Sequence, residues 1–306
     1  MRPRVSLGAA LTLGAFLLTA PGALVLLPLA LLLAASRPAR GATWGWIVLA
    51  LLWSAFWLFA PGPLAEQVLK GWGVVATGLF TVLALEARRP AVDAAITAVL
   101  GASLATLGWL RAFRIDLASV MADVLHTIWA QYRMLGDAAP GLRAQLSAAS
   151  ASATEVAVIF PAAAMLMGLA GLLIAWRWYH WLSDHPAGTA PGPVAEFTFN
   201  DHFVWLLVLG LAATVAQVSG VLPADAAWPA NLLVLFGGLY VARGYAVART
   251  VMGRWFGGPR VPLLLLLAAL VFVLFLLPFA LATLLGLGLA DTWLDFRRPR
   301  AGASGD

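Results

Sequence analysis

The chain contains no cysteine, and charged residues are scarce. The absence of cysteine excludes disulfides, thiolate metal sites and cysteine nucleophiles, and it says nothing about the compartment. Only 11% of the 306 residues are charged, against roughly 25% in a typical soluble domain. Because 62% of the residues are hydrophobic, a soluble protein of this length would have no polar surface. The composition therefore predicts a polytopic membrane protein whose partner is the lipid bilayer.

Lysine is almost absent as well, and the net charge of +5 comes almost wholly from arginine, since Lys70 is the only lysine. In a membrane protein such charges set orientation. No basic block is interleaved with aromatic residues, so nucleic acid is not expected as a partner. The Ala-, Leu- and Arg-rich, lysine-poor usage is typical of bacteria with GC-rich genomes, and we expect the bacterial cytoplasmic (inner) membrane as the location.

A bilayer core requires about 20 apolar residues per helix. By this criterion the sequence predicts an all-α bundle of eight to nine membrane helices, forming one integral membrane domain over residues 1–306. The nine candidate segments are 5–20, 22–36, 43–60, 71–87, 91–113, 154–179, 202–219, 228–250 and 261–293. The signal-like first segment is interpreted as half of a first membrane hairpin rather than as a cleaved peptide. Residues 60–70 are expected to form a polar turn.

Residues 114–150 interrupt this pattern between the N-terminal helices (5–113) and the C-terminal helices (154–296). Apolar residues recur there near helical spacing, and acidic residues such as Asp123 are expected on the opposite face. The pattern predicts an amphipathic helix at about 115–136, lying on the membrane or covering a cavity.

The arginines favour a cytoplasmic N-terminus, but they leave two topologies open. If all nine segments cross, the arginines at 297, 298 and 300 fall outside. If segment 91–113 is re-entrant, these arginines lie inside, but the cluster between 243 and 260 does not.

Three polar residues in the C-terminal half are candidate ligand-binding residues, because polar groups in hydrocarbon are costly. Asn231 lies at the start of its helix, where capping competes with ligand contact. Arg243 lies deeper, where its long side chain could reach the interface or pair with Asp291 or Asp295. Asp291 and Asp295 share one helix face at i and i+4, and Arg297 and Arg298 could pair with these acids or reach lipid phosphates. Asp291 either belongs to a solvated helix end or faces a polar interior, because neighbouring glycines allow close helix approach.

No catalytic arrangement is recognisable in the sequence. The four histidines lack metal spacing, and no GxSxG, Walker A, HExxH or DxDxDG signature occurs. No enzyme activity, cofactor or metal site is therefore expected. Asn200 or Asp201 is expected to cap the helix that follows them.

Three stretches carry a family resemblance: LGLADTWLDFRRP at the end, NLLVLFGGLYVARGYAVAR at 231–249, and FTFNDHFVWLLVLGL before them. Together they resemble the C-terminal half of the YybS-like family of bacterial membrane proteins, over about residues 195–300. The family brings no established activity. Its layout is similar to that of the substrate-binding membrane subunits of energy-coupling-factor transporters, which dock onto a coupling protein through small residues of an early helix. Here Ala10 and Gly14 could form such a docking face, or they could serve ordinary helix packing.

Two functions follow as hypotheses. The first is a transport-related subunit that binds a small solute near Asn231, Arg243 and Asp291 and works with other membrane subunits. The second is a non-catalytic scaffold or assembly factor of the cell envelope. A polar-lined cavity would favour the first function, and solid packing would favour the second.

Overall fold

A computed structural model describes residues 22–36, 38, 41–86, 90–138, 153–223, 225–256 and 263–297. Within these ranges every regular element is helical, which confirms the all-α prediction. The helices are α1 (Ala23–Ala35), α2 (Gly41–Phe59), α3 (Leu64–Glu86), α4 (Ala91–Ala112), α5 (Leu117–Ala138), α6 (Ala153–Leu182), α7 (Val204–Val218), α8 (Trp228–Phe256) and α9 (Leu263–Leu294). Two short 3-10 turns, Val194–Glu196 and Asp201–Phe203, precede α7.

Seven stretches in the described part of the chain are long and apolar enough to cross a membrane. They are Gly41–Phe59, Leu64–Glu86, Ala91–Ala112, Ala157–Leu182, Asp201–Val218, Trp228–Val251 and Leu277–Leu294. The protein is therefore a multi-pass membrane protein. Helix α1 is also apolar but has only 13 residues, and segment 5–20, with Ala10 and Gly14, lies outside the described residues. The total of eight to nine helices stays a prediction.

The chain divides into two compact units, residues 1–191 and 192–306. In the first unit α1 packs against α2, α3 and α6, and its leucine-rich sequence is buried on several sides. Leu29, Leu32 and Leu33 are almost wholly inaccessible. Helix α2 buries only a narrow stripe that includes Ile47 and Ala50, while Trp44, Trp46 and Trp53 are exposed. Such a surface suits lipid contact.

Helix α3 begins at Leu64, seven residues before the predicted start, so the prediction of a polar turn over residues 60–70 was wrong for residues 64–70. The helix continues through the polar residues because their charges are neutralised locally. The Lys70 ammonium lies 2.8 Å from Glu66 one turn earlier and donates to the carbonyl of Ala60 at 2.6 Å. It also lies over the ring of Trp57. The paired lysine can therefore be buried within the helix.

The amphipathic segment forms α5, and its apolar face is partly buried. Val120 and Val124 join Leu110 and Ala157 in a small cluster. Asp123 was expected on the exposed face, but it is half-buried, and its Oδ2 accepts a hydrogen bond from the backbone N–H of Ala65 at 2.9 Å. The carboxylate thus satisfies one of the free N–H groups at the start of α3. The position of α5 relative to a membrane surface stays a prediction.

In the second unit α8 is central and packs against both α7 and α9. Helices α8 and α9 approach backbone to backbone: a Cβ on Gly244 would overlap the carbonyl of Leu284, and one on Gly288 would overlap that of Tyr240. Pairing of 244 with 284 and of 240 with 288 makes the two helices antiparallel. Gly210 of α7 packs on the side chains of Leu232 and Leu233 in α8. Three glycines therefore bring these helices close together.

Candidate functional site

The second unit contains a cluster of four charged residues, Asp201, Arg243, Asp291 and Arg297, which we call the charge cluster. Arg243 of α8 lies at its centre. Its Nε donates to Oδ2 of Asp291 at 2.9 Å, and its Nη2 donates to the carbonyl of Asp291 at 3.3 Å. Its Nη1 donates to Oδ1 of Asp201 at 2.5 Å. The guanidinium therefore bridges the start of α7 and the end of α9.

Asp291 accepts from a second arginine as well. The Nη2 of Arg297 lies 2.5 Å from Oδ2 of Asp291, and its Nε lies 3.4 Å from Oδ1. The Nη1 of Arg297 donates to the carbonyl of Phe197 at 2.9 Å and to that of Ala195 at 3.4 Å. Arg297 thereby fastens the segment before α7 to the end of α9.

Local sequence places these side chains. Asn200 Oδ1 accepts from the N–H of His202 at 3.0 Å, so Asn200 caps the 3-10 turn that carries Asp201, whereas the N-cap of α7 itself is Phe203. Helix α9 ends at Leu294, and Asp295 adopts a positive φ of 42°, a conformation that Asp tolerates better than most residues. The chain reverses there and brings Arg297 back beside Asp291, six residues earlier.

Aromatic rings surround the charges on one side. The guanidinium of Arg243 lies over the ring of Phe199 at 5.6 Å. The ring of Phe199 meets that of Tyr240 edge-on at 5.1 Å, and Phe203 packs against Phe236 at 6.0 Å. These rings exclude water, which strengthens the ion pairs and raises the cost of leaving one unpaired.

The cluster contains two cations and two anions, so it is formally neutral, but its members differ in exposure. The side chain of Asp291 is 1% exposed and that of Arg243 is 6% exposed, whereas that of Asp201 is 56% exposed. The Arg243–Asp291 pair is therefore a buried ion pair, and Asp201 is a partly hydrated ligand of the same guanidinium. Such a site can bind an anionic group or lock helices together.

The structure brings Arg243 and Asp291 together but not Asn231. The Nδ2 of Asn231 donates to the carbonyl of Ala227 at 2.8 Å, which is a local contact at the start of α8. Twelve residues separate Asn231 from Arg243, or about 18 Å along a helix. A ligand role for each of the three residues stays a prediction, and Ala10 and Gly14 lie outside the described residues.

Sequence reasoning missed the contact between Asp201 and Arg243. Asp201 was considered only as a helix cap, and no spacing rule links it to an arginine 42 residues later. It also missed the pairing of Glu66 with Lys70, which the i, i+4 spacing on a helix could have indicated. Among the described residues, no group of three or more His, Asp or Glu side chains is arranged to hold a metal ion.

Comparison with known proteins finds no matching family model, no matching curated protein and no matching solved structure. The resemblance to the YybS-like family therefore stays a prediction, and the identification goes no further than the fold: the chain is an all-α, multi-pass membrane protein.

Proposed function

We propose that this protein has a structural, non-catalytic role in the membrane, as a scaffold or assembly factor for other membrane subunits. The observation that carries the proposal is the internal neutralisation of the charge cluster. Nε, Nη1 and Nη2 of Arg243 each donate to an aspartate of the same chain. The most deeply buried guanidinium described here is thus committed to holding its own unit together.

A buried ion pair adds little to the free energy of folding, because both ions lose their hydration. It does define the arrangement of the chain, since a single geometry satisfies all the charges. Here that arrangement joins three parts of the chain, at residues 195–201, 243 and 291–297. Because its helices are fixed in this way, the second unit (residues 192–306) would present a constant surface to a partner, as a scaffold requires.

Close packing supports the same function. Helices α8 and α9 approach through Gly244 and Gly288 with their backbones in contact, which leaves no room for a solute at that crossing. A solute bound between α8 and α9 would need Arg243 to release Asp291, its buried carboxylate. We also propose that the protein lies in the bacterial inner membrane, that it is related to the YybS-like family, and that residues 1–306 form a single membrane domain.

The test is a mild purification of the tagged protein from its own membranes, followed by mass spectrometry of the proteins and small molecules that accompany it. The variants are Arg243→Met and the control Arg249→Met, whose side chain is exposed on the same helix. We expect the wild type and Arg249→Met to retain the same membrane proteins in fixed ratio, and Arg243→Met to lose them. A small molecule bound in fixed ratio, with no accompanying protein, would contradict the scaffold role.

A further inference from the structure

Asp201 and Asp291 bind the same guanidinium, but they differ in exposure and in the number of hydrogen bonds that hold them. Asp291 is buried and is held by two arginines through several hydrogen bonds. Within the described part of the chain Asp201 makes one ion pair, through Oδ1 to Nη1 of Arg243, and more than half of its side chain is exposed. It also lies on a three-residue 3-10 turn rather than within a long helix. Of the two carboxylates, Asp201 is the one that can leave at lower cost, because water can hydrate it as it leaves.

An unused hydrogen-bonding group lies beside this position. The hydroxyl of Tyr240 is buried near that of Thr292, but among the described residues neither hydroxyl makes a hydrogen bond. Tyr240 lies one helical turn before Arg243, and its ring packs on Phe199, over which the guanidinium lies. A buried hydroxyl without a partner carries a desolvation cost. An anion that entered here could accept a hydrogen bond from it.

The charge balance defines the chemistry of such an anion. Once Asp201 has moved away, the two arginines and Asp291 leave one positive charge. A group with a single negative charge restores neutrality, and planar or tetrahedral oxyanions match the donor geometry of a guanidinium.

We propose that Asp201 occupies an anion-binding site on Arg243, and that a singly charged carboxylate or phosphate group displaces it, binding to Nη1 of Arg243 and the hydroxyl of Tyr240. The phosphate could belong to a free solute or to a lipid headgroup. This site goes beyond the scaffold role and does not depend on it.

The test uses the full chain in a maltoside detergent without phosphate, and the variant Asp201→Asn. Asp225→Asn is the matched control, because Asp225 is an exposed acid in the same unit. Acetate and dimethyl phosphate are titrated at constant ionic strength, with glycerol as the neutral probe, while the melting temperature is followed. A tethered carboxylate competes at an effective concentration on the order of millimolar, so its removal should reveal binding.

We expect Asp201→Asn to show a saturable rise in melting temperature, with half-saturation at least tenfold below that of the wild type and of Asp225→Asn. Adding Tyr240→Phe to Asp201→Asn should weaken this binding. Binding of both soluble anions indicates a free solute. Binding of phosphatidylglycerol but not of diacylglycerol, observed by native mass spectrometry with no effect of the soluble anions, indicates a lipid headgroup.

The proposal is overturned if Asp201→Asn responds to the soluble anions and to phosphatidylglycerol no more than Asp225→Asn does. If Asp201→Asn fails to fold, hydrogen exchange of the wild-type protein with and without dimethyl phosphate tests the proposal instead. Saturating dimethyl phosphate should then accelerate exchange of the His202 and Phe203 amides, because the turn is released. Unchanged exchange at these amides would also overturn the proposal.

Discussion

Arg243 and Asp291, 48 residues apart, are joined by two hydrogen bonds, one to the carboxylate at 2.9 Å and one to the backbone carbonyl at 3.3 Å. Asp291 lies in the last turn of α9, where the helix dipole is negative and its carbonyl also accepts a long hydrogen bond from the N–H of Asp295 at 3.3 Å. The arginine therefore neutralises a side chain and caps a helix end with the same group. Loss of this relationship should affect the second unit more than loss of any exposed charge.

Replacing Asp291 by Asn should destabilise the protein by roughly 2–4 kcal/mol, because Arg243 and Arg297 both lose the buried carboxylate with which they pair. Asp295→Asn is the control: it lies one turn later, is exposed, and Asn accepts the positive φ there. Its effect should stay within about 0.5 kcal/mol. Unfolding by sodium dodecyl sulfate, followed by circular dichroism in mixed micelles, measures the loss of stability in each of the two variants. Equal losses for the two variants would contradict this assignment.

Gly288→Ala and Gly244→Ala should each force α8 and α9 apart, since the added methyl group would overlap a backbone carbonyl of the other helix. Overpacking of this kind costs about 1–3 kcal/mol. Gly237→Ala and Gly286→Ala are matched controls on the same two helices, where an added Cβ meets nothing within 4 Å. The same detergent titration should show the first pair destabilised and the second pair unchanged or slightly stabilised, because alanine favours helix.

In the first unit, Glu66→Ala should be more destabilising than Lys70→Met. Lys70 is 3% exposed and Glu66 is 35% exposed, so removing the acid leaves a buried cation, whereas removing the lysine leaves an acid that water can reach. The double variant should recover part of the loss. Thermal unfolding of all three proteins tests the order, and a larger loss for Lys70→Met would refute it.

Asp123→Ala should cost about 1 kcal/mol, because it removes the acceptor for the Ala65 N–H at the start of α3. Asp123→Asn keeps an oxygen acceptor and should lose less. Hydrogen exchange at Ala65 gives a local readout: it should be faster in Asp123→Ala than in the wild type. Unaltered exchange would show that the carboxylate does not protect this amide.

The sequence was most informative where apolar runs were long. Segment 228–250 was predicted and the helix extends from Trp228 to Phe256; segment 91–113 corresponds closely to Ala91–Ala112. Run length predicts such helices because lipid imposes both a length and a polarity. The start of α3 was missed because a run-length criterion treats Lys70 as a breaker, although a neighbouring acid neutralises it.

The candidate site was only partly predictable. The pairing of Arg243 with Asp291 was among the alternatives, because two opposite charges near membrane helices are expected to meet. The participation of Asp201 depends on how the segment before α7 folds over α8, and no local pattern encodes that. The pairing of Arg297 with Asp291 was also among the alternatives, but the turn that makes it depends on the positive φ at Asp295, which no local pattern indicated.

The most direct test of the charge cluster is a double-mutant cycle with Arg243→Gln, Asp291→Asn and the double variant, measured by detergent unfolding. If the two side chains are coupled as the structure has them, the double variant should lose less stability than the sum of the single variants, by about 1.5 kcal/mol or more. Additivity within about 0.5 kcal/mol would mean that the buried pair does not hold the second unit together, and the structural role proposed for it would be wrong.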